Sequence, residues 1–311
     1  MWVNGFKAFG KDIVCIDKQY KENAEFVEDE IVVGEKGMHF CENPIDVLIH
    51  YPLVDIDCEF ITIARVEGED PSYGEDDRIC ATKHLKIGTK LSFNGYIKAC
   101  IDYACNKAKK ESLDKKSLNY DDLTRETGQQ IASKKDYDNI LNPWYYTNIA
   151  SEEKHTRITT SGKCTKIISR GFSIQVSSSG NFDTIASSGN NAHISVSGEM
   201  TRIVSGGHYS KISVSGDLSR ILSTGCHTNI VATGRNTLVS STGNNCVITA
   251  IGMESAVKAK KGSFITLAEH KWNNKIGFHI VCVKTEQVDG ERIKEDTFYC
   301  LDNGEFKECQ D

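Results

Sequence analysis

The densest grouping of residues that could do chemistry is Gly37-Met38-His39-Phe40-Cys41-Glu42. It sets an imidazole, a thiol and a carboxylate around an expected strand-to-helix junction, where helix N-terminal amides can hold an anion. Tyr51 closes the same segment, so His39, Glu42 and Tyr51 are the candidate ligand-binding residues. A His39/Cys41 nucleophile pair is poorly supported, because alternate strand residues leave no third group to orient the base. The commoner role for a lone histidine in such a place is structural. No catalytic residue can be assigned, and the balance favours a non-enzymatic protein.

The 12 Cys are scattered, with no C-x-x-C spacing; the nearest pairs are Cys100/Cys105 and Cys300/Cys309. A zinc or redox site needs tighter clustering, so reduced thiols, no metal and no cofactor are expected. The N-terminus MWVNGFKAFGKDIVC has no basic start followed by an apolar run, so export is not expected. No apolar run approaches the length of a membrane span.

The elements that must position these residues fall into four segments. Residues 1–105 read as a small α+β domain. In it, Phe60–Gly68 alternates like a strand, and Cys41–Pro52 reads as a short helix with Asn43 as its cap and Pro44 at its first position. Residues 106–152 are polar and charged, a helical linker whose Trp144, Tyr145 and Tyr146 are expected to cover the first coil of a repeat array. The array itself spans residues 153–267, and residues 268–311 read as a β-hairpin cap with turns expected at Asp289-Gly290 and Asn303-Gly304.

The array is the clearest feature. Gly recurs at every ninth residue from Gly162 to Gly252, and five residues after each stands Ile or Val, as at Ile185, Ile194, Ile203 and Ile212. Small and β-branched residues alternate between the glycines, which reads as a short strand and a tight turn, with Gly expected to supply a positive φ. One unit cannot bury its Ile alone, so units must stack. Two units per coil give a parallel two-sheet β-solenoid of 18 residues per coil and about six coils. Calcium-binding nonapeptide rolls need Gly-Gly-x-Gly-x-Asp, and here Asp217 and Glu199 stand alone, so calcium is not expected.

With an 18-residue coil the two outer faces differ. One carries an apolar stripe, Ile168, Ala186, Val204 and Leu222; the other is polar at Ser177, Ser195 and Ser213. Beside the stripe run Arg202 and Arg220, and at the adjoining turn Phe182, Met200 and Leu218. Ile168, Phe182, Met200, Arg202, Val204, Leu218, Arg220 and Leu222 are therefore the candidate interface, for a second subunit, for the acidic N-terminal domain or for an external protein. Net charge is −6 overall, with +7 between residues 156 and 262 and −13 elsewhere. The local excess invites a nucleic-acid reading, but there is no ordered aromatic platform and the whole chain is acidic, so nucleic acid is not the expected partner.

The pattern Gly37, Met38, His39, Phe40, Cys41, Pro44, Asp46, Tyr51 is similar to the N-terminal domain of an uncharacterised family found in bacteriophages and prophages. Members continue into Ser-Gly repeats and end in a segment resembling VDGERIKEDTFYCLDNGEF. That resemblance implies a protein of the host bacterial cytoplasm, one that counters a host defence system, and it carries no activity. The strand-to-helix segment also resembles ADP-ribosyltransferase-like folds, without a catalytic Glu motif to match. Three functions are the expectations. The first is a non-enzymatic binding protein whose solenoid mediates homo-oligomerisation or docks a host protein. The others are a nucleotide-binding or ADP-ribosyltransferase-like domain on a solenoid scaffold, and a phage fibre or adhesin.

Overall fold

The structure, a computed structural model, describes residues 1–16, 18–55, 59–74, 78–114, 130–133 and 135–309. It is mainly β: two parallel sheets wound into a solenoid, with an α+β unit of residues 1–114 seated on one of them.

Each sheet pairs strand with strand at an offset of 18 residues. Ile185 lies beside Ile203 and Ile203 beside Ile221 in one sheet; Ile194 lies beside Ile212 and Ile212 beside Ile230 in the other. The ladder residues of both sheets meet in one core, almost wholly withdrawn from water. Eight coils are present rather than about six, because the solenoid begins at strand Gln130–Ala132, ahead of residue 153. The first coils carry Trp144 and Glu153 in the glycine register, yet Ile131, Ile140, Ile149 and Ile158 already keep the ladder. Trp144, Tyr145 and Tyr146 accordingly lie within an early coil, and the Tyr146 amide donates to the carbonyl of Lys163 in the next. Part of the expected linker, residues 115–129, lies outside the described residues.

The repeat glycines serve a different purpose from the one expected. The left-handed conformation falls two residues later, at Cys164, Phe182, Met200 and Leu218, with φ between 54° and 63°. The glycines are required by stacking: a Cβ on Gly207 would lie 1.9 Å from the carbonyl oxygen of Gly189, one coil earlier. No side chain fits there without separating the coils.

The C-terminal cap also departs from expectation. Strands Phe264–Asn273 and Gly277–Gln287 form a long hairpin that turns at residues 274–276, not at Asp289-Gly290. Asp289 instead accepts hydrogen bonds from the amides of Glu291, Arg292 and Ile293, an Asx-type turn outside any strand pair. Asn303-Gly304 does join two strands, Tyr299–Asp302 and Glu305–Glu308.

In the N-terminal unit, strands Trp2–Phe9, Thr62–Glu69, His84–Lys90 and Ala24–Val27 form an antiparallel sheet in that spatial order. Met38–Phe40, Cys80–Thr82 and Ser72–Tyr73 form a second. The expected short helix is a 3-10 turn over Asp46–Ile49 whose N-cap is Ile45, not Asn43; Asn43 lies just ahead of it, accepting from the Ile45 amide and donating to Asp46. The long helix Phe93–Asp114 starts where Ser92 Oγ accepts from the Gly95 amide, and runs past the expected boundary at residue 105. Its Tyr96, Ile97, Cys100 and Ile101 share one face.

That face settles what covers the apolar stripe. Ile168, Ala186, Val204 and Leu222 are buried in one cluster with Tyr96, Ile97 and Ile101, together with Leu53, Val54 and Ile61. The stripe is an internal seam between the solenoid and the chain's own N-terminal unit. Lys166 Nζ donates to the Ile45 carbonyl at 3.4 Å and Lys258 pairs with Glu59 at 3.6 Å, which pins the seam along its length.

Candidate functional site

The N-terminal unit holds a half-open cavity of about 600 Å³. The Trp2–Phe9 strand supplies Phe6, Lys7 and Ala8. The hairpin Val14–Cys15 and Lys18–Gln19 supplies Cys15 and Lys18 and leads to Tyr20, while Met38–Phe40 supplies His39 and Phe40. Val47, His50 and Tyr51 close it from the 3-10 turn. Most of this lining is apolar or aromatic, with a few polar groups converging, as in small-molecule sites generally.

Lys7 is the unusual member. It is only 6% exposed, although it lies in a strand whose neighbours Phe6, Ala8 and Phe9 are themselves buried. Its Nζ donates to the His39 carbonyl at 2.9 Å and sits 5.5 Å and 5.6 Å from the ring centres of Phe9 and Tyr20. Burial draws its pKa below the usual lysine range. Among the described residues no carboxylate pairs with it; the nearby Glu28 is held by Lys18. A buried cation without a counter-charge is costly, and the cost is relieved by losing the proton or by taking a ligand.

Around Lys7 the other polar groups are held in place. Tyr51 Oη lies 3.1 Å from Cys15 Sγ, and burial raises the pKa of both Tyr20 and Tyr51, so both phenols stay protonated. His39 accepts from the Gly34 amide through Nε2 at 2.9 Å, which places its ring proton on Nδ1. Burial first, and then the Lys7 charge, lower its pKa. His39 thus anchors the turn before its own strand. Cys41 is buried, and its thiol is pushed up to about 12 by desolvation, so no thiolate forms there.

Of the three expected ligand-binding residues the structure brings His39 and Tyr51 together in the cavity wall. Glu42 lies outside it and accepts from Tyr73 Oη at 2.8 Å. Sequence reasoning missed Lys7, Cys15, Lys18 and Tyr20. The signal available was a lysine inside the apolar run Phe6-Lys7-Ala8-Phe9.

The expected interface residues divide. Ile168, Val204 and Leu222 are in the internal seam, whereas Phe182, Met200 and Leu218 form an exposed column along one edge. Arg202 and Arg220 are register neighbours one coil apart and half-buried. Arg220 donates to the carbonyls of Ser219 and Asn236, and among the described residues neither arginine forms an ion pair. No group of His, Cys, Asp and Glu among the described residues is arranged to hold a metal. No described helix is long and apolar enough to cross a membrane.

Residues 3–99 match a family described as a domain of unknown function, DUF7666. The match covers the cavity and ends inside the long helix, leaving the solenoid outside it. No curated protein matches the chain, and no solved structure does.

Proposed function

We propose that this protein is a ligand-binding protein, in which the N-terminal unit recognises a small molecule and the solenoid is its rigid support and assembly module. The observation that carries the reading is the buried Lys7, which among the described residues forms no ion pair, in the wall of a mostly apolar cavity. The apolar seam supports the second half, since it fixes the domain along four successive coils. A nucleotide-binding reading of the domain would have to place its ligand in the same cavity. A phage or prophage setting, a role against host defence and a place in the bacterial cytoplasm belong to this proposal on the sequence resemblance alone.

Self-association is favoured by a separate observation. The hairpin Phe264–Asn273 and Gly277–Gln287 runs beyond the last coil, and its second strand is the free edge of the nine-stranded sheet. That edge carries exposed Phe278, Ile280, Val281 and Val283, and free apolar edges invite strand pairing. A second copy is the occupant that suits it, because an antiparallel edge-to-edge pair is self-complementary about a two-fold axis. Phe182, Met200 and Leu218 beside Arg202 and Arg220, which form no ion pair among the described residues, offer a second surface, suited to a host protein with apolar and acidic groups.

Native mass spectrometry of protein purified gently from bacterial cells tests both parts. A retained small-molecule mass that disappears in Lys7→Met supports the ligand reading, and a dimer lost in the Ile280→Lys/Val281→Lys variant supports the edge. A trimer unaffected by those changes would favour a fibre. Bare monomers that also bind nothing added would sink the proposal.

A further inference from the structure

The cavity's chemistry extends the ligand-binding reading, on which this inference rests. An ammonium has three hydrogens to donate, yet the only oxygen within hydrogen-bond distance of Lys7 Nζ among the described residues is the His39 carbonyl. Burial, the largest influence, and the nearby Lys18 cation both oppose the charged form; Cys15 and the Phe9 and Tyr20 rings act the other way, and the balance lies with the free amine. A neutral amine fits this setting better: it needs one acceptor, and it presents a lone pair to the cavity. A lysine held in an apolar pocket next to another cation is the usual arrangement for an amine that acts as a nucleophile.

We propose that Lys7 captures a small aldehyde or ketone as an imine, so that the ligand of this domain is a carbonyl compound. The amine nitrogen adds to the carbonyl carbon; the carbinolamine then loses water, its oxygen coming from the carbonyl and its two hydrogens from the amine. A carbon–nitrogen double bond replaces the carbon–oxygen one, and no oxidant or reductant is consumed. Burial favours the uncharged amine that starts the sequence, and the Lys18 charge acts in the same direction. The apolar part of the ligand would lie against Phe6, Val47 and Ile79. Tyr51 stands at the wall as a hydrogen-bond donor to the carbonyl oxygen if it leaves Cys15.

The test treats the full chain with benzaldehyde or butyraldehyde and sodium cyanoborohydride at pH 7, and follows intact mass and peptide maps over time. A lowered pKa raises an amine's free-base fraction at pH 7, so Lys7 should be alkylated ahead of the surface lysines. Lys7→Arg should remove the fast site; if that variant fails to fold, Lys7→Met serves. Benzyl alcohol, which fits the cavity but cannot form an imine, is titrated in parallel by NMR. Chemical shifts moving at Val47 and Ile79 with no preferential Lys7 adduct would overturn the imine and leave the ligand-binding reading standing. Neither shifts nor adduct would overturn both.

Discussion

Replacing Asp183 by Asn should make the solenoid more stable at alkaline pH and flatten its pH dependence. Asp183 stands three residues after Gly180, where other coils carry Thr201, Ser210, Ser219 or Thr228, each donating to the glycine carbonyl three residues before. Its side chain is fully buried; it accepts from the Thr165 amide at 2.7 Å and from the Ser178 hydroxyl. Desolvation pushes its pKa up from 3.8 to about 7, against those two hydrogen bonds. Below pH 3.8 the folded and unfolded chains both hold the proton, and the site contributes no pH dependence. Between 3.8 and about 7 the folded chain keeps a proton the unfolded chain has released, so stability falls as pH rises. Above 7 the full cost stands, and at about 1.4 kcal/mol per pH unit it reaches about 4 kcal/mol. Asn keeps an acceptor for Thr165 and cannot ionise. At pH 8 Asp183→Asn should therefore be more stable by about 2–4 kcal/mol, the lower figure allowing for an imperfectly placed amide. Urea denaturation of both proteins from pH 4 to 9, with Thr165 amide exchange as a local reporter, measures it. Parallel pH profiles would refute the assigned burial cost.

Other outcomes concern the seam and the coils. Leu222→Lys places a charge among Ile97, Val204 and their neighbours; it should cost about 3 kcal/mol or more and undock the N-terminal unit, seen as new protease sensitivity near Phe93. Gly207→Ala drives a methyl into the Gly189 carbonyl and should cost on the order of 3 kcal/mol in thermal or urea melts. Ser169, Ser187, Ser205, Ser223 and Ser241 bury hydroxyls that have no hydrogen-bond partner among the described residues, so Ser205→Ala should be neutral or stabilising by about 1 kcal/mol.

The solenoid is legible because its physics repeats: each coil must present an Ile inward and keep the backbone at the turn bare for the next coil. The period survives single departures such as Trp144, but only the Ile column reveals the early coils; the glycine column begins at 162. The reason for the glycines was not legible, because whether a turn needs a positive φ or a close approach depends on the coil beneath it. The stripe of Ile168, Val204 and Leu222 was readable as a buried contact, while its occupant was not, since Tyr96 and Ile97 meet it only through the docking of a helix distant in sequence. The cavity was least legible of all. Its wall is gathered from segments around Phe6, Cys15, Glu28, His39, Val47 and Ile79, which strand pairing and the 3-10 turn bring together only in the fold, and the pattern around His39 pointed to a residue that anchors a turn.

The central claim is that the N-terminal cavity binds a small molecule through Lys7. The most direct measurement is a fragment screen by NMR on the labelled full chain, repeated with Lys7→Met. The account predicts that binding fragments shift resonances of Val47, Tyr51 and Ile79, and that carbonyl-bearing fragments lose their hold in the variant. Fragments that perturb only the solenoid surface, or bind the variant as well as the parent, would contradict it.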